Sequence, residues 1–399
     1  MKPWVLTAIF LWFLIFSVVS AQSKIEGTVT DLETGKPVKN VNVYLLKTML
    51  GSSTNKEGKF SINNIPPGIF YLVFSHVNYH AEKRKIKITQ LKHLNFNVKL
   101  KPKIYQLPAV TVEENEDEDW EENYELFKKQ LLGTGFLAQQ CEIVNPYSIE
   151  FSKTENGWLK ANCNTPLIIL NYGLGYKLKY FMDFFETNGY TTKFSGQPYF
   201  EEMQPANESD AQIYKENRLT AYCGSLTHFL RVLIEQYNYL DEQDSSLSID
   251  DTLASLVSKR LNSKLTDNGF TVLSCTDLPW KSVIKPIIYP VDVSKIVAKT
   301  PDKNYYTLSF SNYLQITYNR EWEEEGYLEL LGFYNRPPGY QTSWIKLHKL
   351  SVLLDGKGHF FDEFAIETFG YWSFEKLADM LPFEYEIEDS VLQTVNWTY

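Results

Sequence analysis

The chain has 399 residues, and its 39 basic against 49 acidic residues give a formal net charge of −10. A mildly acidic chain without a broad basic surface is a poor electrostatic match for nucleic acid, so that class of partner is excluded. The length exceeds one average domain, and a hydrophobic content of 44% predicts a globular protein with more than one core.

The N-terminal residues predict a cleaved export signal. Lys2 precedes an apolar run over residues 4–19, and the small residues Val19 and Ala21 fit a signal-peptidase site, so we assign residues 1–21 to a signal peptide. The alternative is a membrane anchor, but the run is short for a span and no positive cluster follows it. No cysteine stands at the cleavage point, which argues against a lipid anchor. We expect a mature protein without a transmembrane span, although peripheral membrane association is possible.

Residues 24–101 predict a small antiparallel β-sandwich. Short runs alternate apolar with polar residues, so that Val41, Val43 and Leu45 are expected on one face of a strand. Turns rich in glycine and proline, such as Pro-Pro-Gly at 66–68, separate these runs. Short strands at this spacing are typical of a sandwich.

Four motifs in this region resemble the carboxypeptidase regulatory-like domain. They are GTVTD from Gly27, GKPVKNVNV from Gly35, NKEGKF from Asn55 and IPPG from Ile65. Glycine at positions 35 and 58 fits hairpin turns that require a positive φ. The resemblance covers about a fifth of the chain. It implies a transthyretin-like sandwich that serves as a non-catalytic accessory module, abundant in the cell envelope of Bacteroidota.

Residues 102–122 are predicted to form an acidic linker. Eight of the ten residues from 113 to 122 are acidic, and such a block repels itself and cannot bury a core. The alternative is a site for calcium or a cationic partner. The preceding hydrophobic patch at 107–112 resembles the segment that follows this sandwich in TonB-dependent receptors. The remaining chain is too short for the plug and barrel of those receptors, so we do not expect a transporter.

Residues 123–399 predict a strand-rich α+β domain. Helices are expected at 124–132, 221–236, 250–261 and 374–381, the second carrying the clearest apolar stripe. Strands are expected at 149–152, 158–163, 167–170 and 176–185, with alternation at 305–317 and a hairpin that pairs 350–354 with 360–366.

Four further motifs resemble segments that follow the same sandwich in uncharacterised envelope proteins of Bacteroidota. They are FLAQQCEIVNP from Phe136, NYGLGY from Asn171, AYCGSLTHFLR from Ala221 and GYWSFEKLADMLPFEY from Gly370. Residues 237–263 resemble an insertion into that pattern. The resemblance implies a compartment and a pairing of domains, and no reaction.

The strongest candidate site lies on and just before the predicted helix 221–236. Its polar side chains are Arg218, Tyr222, Ser225, His228, Arg231 and Glu235. Ser225 and His228, one helical turn apart, suggest a nucleophile and its base, but nothing resembles the GxSxG turn that exposes a nucleophile. The alternative is structural, with His228 in a core hydrogen bond and Arg231 paired with Glu235. If the region binds a small anion or a sugar, we expect the contacts to come from Arg218, Tyr222, His228 and Arg231.

No metal or cofactor site is predicted. His76 and His80 share one face of a strand and, with His93, are a candidate zinc set, but a surface pair of histidines is the preferred interpretation. The HExxH motif is absent. Carboxylates at 201–202 and 323–325 suggest glycosidase chemistry, yet sequence neighbours point apart on a strand.

Four cysteines fall in the C-terminal domain, Cys141, Cys163, Cys223 and Cys275. In an exported chain they can form two disulfides, and in an apolar core they can remain buried thiols. The spacing leaves both alternatives open.

These features predict a non-enzymatic, exported envelope protein of the periplasm or outer-membrane surface. Its accessory sandwich would be joined to a domain that binds an envelope protein or a glycan. One alternative is a hydrolase acting on envelope glycan or peptide, with the sandwich as a positioning domain. Another is a structural assembly subunit that uses free sheet edges for strand addition.

Overall fold

A computed structural model describes residues 23–88, 93–103, 119–246, 263–281, 285–302, 304–333, 335–362 and 364–387. The predicted signal peptide, residues 104–118 of the predicted linker and the predicted helix 250–261 lie outside these ranges. The chain divides into two compact units, Met1–Leu45 with Leu50–Gln106, and Leu46–Met49 with Leu107–Tyr399. The division follows the chain's internal contacts, and each unit is described below by itself.

The first unit is the predicted β-sandwich. Its strands are β1 (Ser23–Asp31), β2 (Asn42–Leu45), β3 (Gly51–Ser53), β4 (Lys59–Ile65), β5 (Gly68–His76), β6 (Tyr79–Ile88) and β7 (His93–Leu100). One sheet has the order β4-β1-β7 and the other β3-β2-β5-β6. Val41, Val43 and Leu45 are buried as predicted, but Tyr44, which strand alternation places on the opposite face, is buried as well.

The first and last strands of the sandwich pair in parallel, in contrast to the predicted antiparallel sheet. The register runs from Lys24 opposite His93 to Asp31 opposite Leu100. A parallel pair needs a long connection, and the intervening strands supply it. Gly27 lies against β7 so closely that a Cβ atom would be 1.9 Å from the carbonyl oxygen of Phe96. This close approach explains the glycine that opens the GTVTD motif.

The second unit mixes helices and strands. Its helices are α1 (Trp120–Leu132), α2 (Phe136–Gln139), α3 (Glu208–Tyr222), α4 (Leu226–Ser246), α5 (Ser263–Asp267), α6 (Val293–Ile296), α7 (Glu325–Leu330) and α8 (Tyr371–Phe374). Its strands are β8 (Cys141–Ile143), β9 (Ile149–Lys153), β10 (Leu159–Cys163), β11 (Leu167–Asn171), β12 (Tyr176–Thr187), β13 (Thr192–Glu202), β14 (Phe270–Cys275), β15 (Ile288–Pro290), β16 (Val297–Lys299), β17 (Tyr305–Leu308), β18 (Tyr313–Trp322), β19 (Tyr340–Leu347), β20 (Val352–Asp355) and β21 (Ile366–Gly370). The predicted strand-rich α+β class is confirmed.

Two large sheets organise the second unit. The first has the order β8-β11-β12-β10-β9, with β13 also paired to β12, and the second has the order β15-β14-β18-β19-β21. A smaller sheet has the order β16-β17-β20. Helix α4 buries Phe229, Leu230 and Leu233 in a core shared with strands of the second sheet. The apolar stripe predicted for residues 226–234 therefore faces a sheet.

Four predicted elements differ from the structure. The predicted helix 221–236 is divided between α3 and α4 by a turn at Gly224. The predicted strand 305–317 breaks between β17 and β18, which belong to different sheets, and the predicted helix 374–381 is replaced by α8 and a short 3-10 turn. The predicted hairpin is reduced to one bridge between Leu354 and Phe360, because β20 pairs with β17 and β21 with β19.

Helix α1 begins at Trp120, inside the predicted linker. The indole of Trp120 stacks on Tyr124 at 5.1 Å and on Tyr147 at 5.0 Å between ring centroids. This aromatic packing supplies the first turn with contacts that the acidic composition of the segment does not suggest. The helix ends at Gly133 as predicted, with φ at 97°. No helix within the described ranges is both long and apolar enough to span a membrane.

Candidate functional site

The turn at Gly224 fixes the position of the predicted site residues. Gly224 has φ at 75°, and a Cβ atom there would lie 2.6 Å from the Tyr318 ring. Its N–H donates to Nδ1 of His228 at 3.1 Å, and the Ser225 hydroxyl accepts from the His228 N–H at 3.2 Å. Ser225 therefore caps the N-terminus of α4, in the manner of a helix N-cap. The Ser-His nucleophile alternative is not supported, since these contacts join Ser225 to the backbone of His228.

His228 is a buried core residue. Its side chain is 1% exposed and packs against the rings of Tyr222, Phe270 and Tyr318. Burial, with the positive charge of Arg231 adding to it, lowers the pKa of His228 to about 3. The imidazole is therefore neutral at physiological pH, with Nδ1 accepting and Nε2 protonated. The structure shows the core hydrogen bond that the structural alternative expected.

Arg218 makes its polar contacts with β13 and with the turn that precedes β12. Its Nε donates to the Leu174 carbonyl at 2.7 Å, and Nη1 pairs with Glu202 at 2.7 Å. Its guanidinium also lies 4.0 Å from the centroid of the Tyr176 ring. These contacts occupy the planar donor fork of the guanidinium, as expected of a structural arginine.

The candidate residues Tyr222 and Arg231 lie in contact with each other. Arg231 Nε donates to Glu235 at 3.0 Å, and Nη1 donates to the Tyr222 hydroxyl at 3.4 Å. These side chains line a cavity of about 260 Å³, which we name the polar chamber. Its walls are Tyr222, Thr227, Arg231, Glu235, Gly356, Lys357, His359, Phe383, Tyr385 and Glu386.

A larger cavity of about 390 Å³, which we name the aromatic cleft, adjoins the same side chains. Its aromatic walls are Phe194, Tyr222, Phe360, Trp372, Phe383 and Tyr385. Its other polar side chains are Lys47, Ser225, Thr227, His359, Thr368, Glu375, Lys376 and Asp379. An aromatic-walled cavity of this size on which polar groups converge is typical of small-ligand sites.

Sequence reasoning missed the Asp355–His359 pair, which lines these cavities through His359. The Asp355 carboxylate accepts from His359 Nδ1 at 3.0 Å, and it also accepts from the N–H groups of Lys357 and His359. From the sequence alone, the spacing Asp-Gly-Lys-Gly-His at 355–359 predicts only a hairpin turn. An acidic residue four positions before a histidine across two glycines was the available signal.

Acidic side chains in the aromatic cleft experience strong desolvation. Burial raises the pKa of Glu375 well above its usual range, and burial raises the pKa of Asp379 to about 7. Burial also lowers the pKa of Lys376. The Lys376 N–H donates to the Asp379 carboxylate at 2.9 Å, which fixes that carboxylate. Charge of either sign is therefore disfavoured at these three side chains, while Lys47, which also lines the cleft, holds its Nζ 5.8 Å from the centroid of the Phe360 ring.

The alternative metal sites are not assembled. The described residues contain no group of three or more His, Cys, Asp or Glu side chains placed to hold a metal ion. His93 pairs with Glu26 at 2.9 Å, and His76 packs edge-on against Tyr79. Among the acidic runs, Glu201 pairs with Lys179, and Glu323 pairs with Arg336 at 2.7 Å.

The four cysteines are free thiols. Cys141, Cys223 and Cys275 are buried, and Cys163 is partly buried. Burial raises the pKa of Cys141 and of Cys163 to about 12, so both are protonated at neutral pH. The buried-thiol alternative describes this structure.

Comparison with known proteins identifies the N-terminal region. Residues 25–112 match the model of the family described as "CarboxypepD_reg-like domain", which confirms the predicted resemblance. A TonB-dependent receptor, P39 of Formosa agariphila, is 32% identical over 96 residues, which are 23% of this chain and 9% of the receptor. The chain thus spans about a tenth of the relative it matches. Both matches fit a protein of the Bacteroidota cell envelope.

Similar solved structures include a DUF3823 family protein of Bacteroides ovatus and a type II cohesin–X-dockerin complex of Acetivibrio cellulolyticus. The first is 9% identical and covers 46% of this chain and 82% of its own, with a TM-score of 0.17. The second is 15% identical and covers 20% of this chain and 56% of its own, also with a TM-score of 0.17. At these TM-scores neither similarity supports an inference about the second unit.

Proposed function

We propose, given that residues 25–112 match the carboxypeptidase regulatory-like family, that this protein is an exported, non-enzymatic envelope protein whose second unit binds glycan. The accessory domain holds or orients the protein in the envelope, and the aromatic cleft of the second unit receives the ligand. The N-terminal apolar run and the match to a TonB-dependent receptor support the location.

The aromatic cleft is the observation that carries the proposal. Its volume of about 390 Å³ falls within the range of roughly 300–1,000 Å³ of small-ligand sites. Phe360 and Tyr385 are only partly buried, so their rings remain accessible to a ligand. Aromatic faces supply contact area to the apolar face of a sugar ring, and the nearby polar groups supply hydrogen bonds to its hydroxyls.

Calorimetric titration of the purified mature protein with envelope oligosaccharides tests the proposal. Phe360→Ala and Tyr385→Ala should each weaken binding by at least tenfold, which corresponds to about 1.4 kcal/mol. Tyr190→Ala is the matched control, because Tyr190 is 99% exposed and does not line the cleft. Unchanged affinity in both cleft variants, with thermal midpoints near that of the wild type, would reject the cleft as the binding site.

Export is tested separately by N-terminal sequencing of protein recovered from the envelope fraction. We expect a mature chain that starts at Gln22, after removal of the predicted signal. Recovery of the uncleaved chain from the cytoplasmic fraction would contradict the proposed location.

A hydrolase acting on envelope glycan is the second candidate function. The specific observation in its favour is that Glu375 and Asp379, two carboxyl groups with raised pKa values, line the aromatic cleft. A carboxylic acid that keeps its proton near neutral pH can act as a general acid. Release of reducing ends from envelope polymers, lost in Glu375→Gln, would establish this function and reject the non-enzymatic one.

A further inference from the structure

The polar chamber and the aromatic cleft share one wall. Five residues line both cavities: Tyr222, Thr227, His359, Phe383 and Tyr385. At about 260 Å³, the polar chamber alone is smaller than the roughly 300 Å³ at which small-ligand sites begin. It is therefore better suited to receive one part of a ligand that continues into the cleft.

His359 is held rigidly in this shared wall. Its Nδ1 lies 3.0 Å from the Asp355 carboxylate, and its ring stacks on Phe383 with centroids 3.9 Å apart and planes inclined by 10°. No described residue forms a hydrogen bond with Nε2. A carboxylate partner on one ring nitrogen fixes the tautomer and orients the other nitrogen. Nε2 is thus a pre-oriented hydrogen-bonding atom for a ligand.

The charged side chains of the chamber other than His359 are paired with opposite charges. Arg231 pairs with Glu235, and Lys357 pairs with Glu386. The two formal positive and two formal negative charges cancel, which leaves donors and acceptors side by side without a net charge. A hydroxyl group matches such a surface because it donates and accepts at the same time.

The adjoining cleft also favours an uncharged ligand. Burial moves the titrations of Glu375, Lys376 and Asp379 toward their neutral forms. The same desolvation penalty would apply to a carboxylate or an amine of a ligand placed beside them. Acidic sugars and amino sugars are therefore disfavoured beside these three side chains.

We propose that the polar chamber is a second subsite of the binding site and takes one neutral, hydroxyl-bearing sugar ring of an oligosaccharide that continues into the aromatic cleft. His359 Nε2 accepts a hydrogen bond from a sugar hydroxyl, and Asp355 is the positioning residue that holds the imidazole. This inference rests on the proposed function and specifies its ligand class.

The test uses the mature full chain and a panel of neutral gluco-, manno- and N-acetylglucosamine oligosaccharides. Oligogalacturonate and chitosan oligomers serve as the charged comparators. Because the amide of His359→Asn takes the place of Nδ1 and removes Nε2, this variant should weaken binding by at least tenfold and keep the bond to Asp355. His359→Gln places an amide near the position of Nε2 and should retain more affinity than His359→Asn. Asp355→Asn, which keeps an acceptor for Nδ1, should retain affinity that Asp355→Ala loses.

The outcomes separate this inference from the proposed function. Neutral oligosaccharides that bind at least tenfold more tightly than the charged comparators, with the loss expected in His359→Asn, support the subsite. Unchanged affinity in folded His359→Asn, together with a loss in Phe360→Ala, rejects the subsite and leaves glycan binding by the cleft intact. Preferential binding of a charged comparator rejects the neutral ligand class. Absence of binding across the panel rejects the proposed function itself.

Discussion

Glu321 gives the most direct test of the physical reasoning, because its protonation state is linked to stability. This carboxyl group is 7% exposed, and its Oε2 accepts from Gln341 Nε2 at 3.1 Å. Oε1 of Glu321 and Oε1 of Gln341 are both buried without a hydrogen-bond partner among the described residues. Burial, with the hydrogen bond from Gln341 opposing it and the charge of Glu324 adding to it, raises the pKa of Glu321 from 4.5 to about 8.

Protonation of Glu321 removes the charge that burial disfavours. The raised pKa means that the folded state binds this proton more tightly than the unfolded state does. Between the unfolded pKa of 4.5 and the folded pKa of about 8, only the folded state holds the proton. The contribution of this proton to the free energy of unfolding is fully present below pH 4.5 and is lost as pH rises through the folded pKa. Between the two pKa values the loss is roughly 1.4 kcal/mol per pH unit. The upper limit of the loss is about 5 kcal/mol.

Urea unfolding at a series of pH values, for the wild type and for Glu321→Gln, measures this contribution. The variant carries a permanent amide donor in place of the titrating proton, so its free energy of unfolding should decline less from acid to mildly alkaline pH. Asp379 titrates in both proteins and cancels in the difference, whereas any change at Glu375 is measured together with Glu321, because the Glu321 charge adds to the raised pKa of Glu375. Parallel pH profiles for the two proteins would refute the assignment of a protonated Glu321 in the native state.

Three further predictions follow from the second unit. Gly224→Ala should lower the free energy of unfolding by about 2–4 kcal/mol, because alanine would have to adopt a left-handed backbone and its Cβ atom would clash with Tyr318. An unchanged midpoint of urea unfolding would contradict this turn. Arg218→Ala should lower the free energy of unfolding in urea by about 2–3 kcal/mol and leave glycan affinity unchanged, because it removes the hydrogen bonds to two backbone carbonyls. Glu202→Gln is the milder control. A loss of glycan affinity without a loss of stability would show that Arg218 belongs to the binding site. In urea without reductant, a thiol reagent should react with all four cysteines, because the thiols are free. The same reagent should react slowly with the native protein, because the thiols are largely buried. Fewer than four reactive thiols in urea would indicate disulfides.

The regular strands of both units were predictable from the sequence because their side chains alternate. The strands predicted at 149–152, 167–170 and 176–185 agree with β9, β11 and β12 within a few residues. Glycines 35 and 58 have the positive φ values that the turn patterns required. Local periodicity and turn chemistry depend on near neighbours in the chain, so a single sequence contains that information.

The candidate site was predictable only in part. The pairing of Arg231 with Glu235 depends on helical spacing and was found in advance. The break at Gly224 was missed, because the apolar stripe on both sides of it is compatible with one continuous helix. His359 was missed as a site residue because its role depends on the packing of a turn against α4, where Gly358 approaches the backbone of Thr227 and Arg231.

The sequence by itself determined the accessory sandwich, the strand-rich character of the second region and the local pairs that lie one helical turn apart. Tertiary structure alone decided that His228 is enclosed in the core, that Arg218 bonds to the Leu174 carbonyl, and that His359 lines two cavities. The physical reason is the separation along the chain between the residues that form each feature. Alternation, turns and helical pairs follow from neighbouring residues, whereas a cavity is formed by side chains that are distant in the chain and meet only after the sheets and helices have packed.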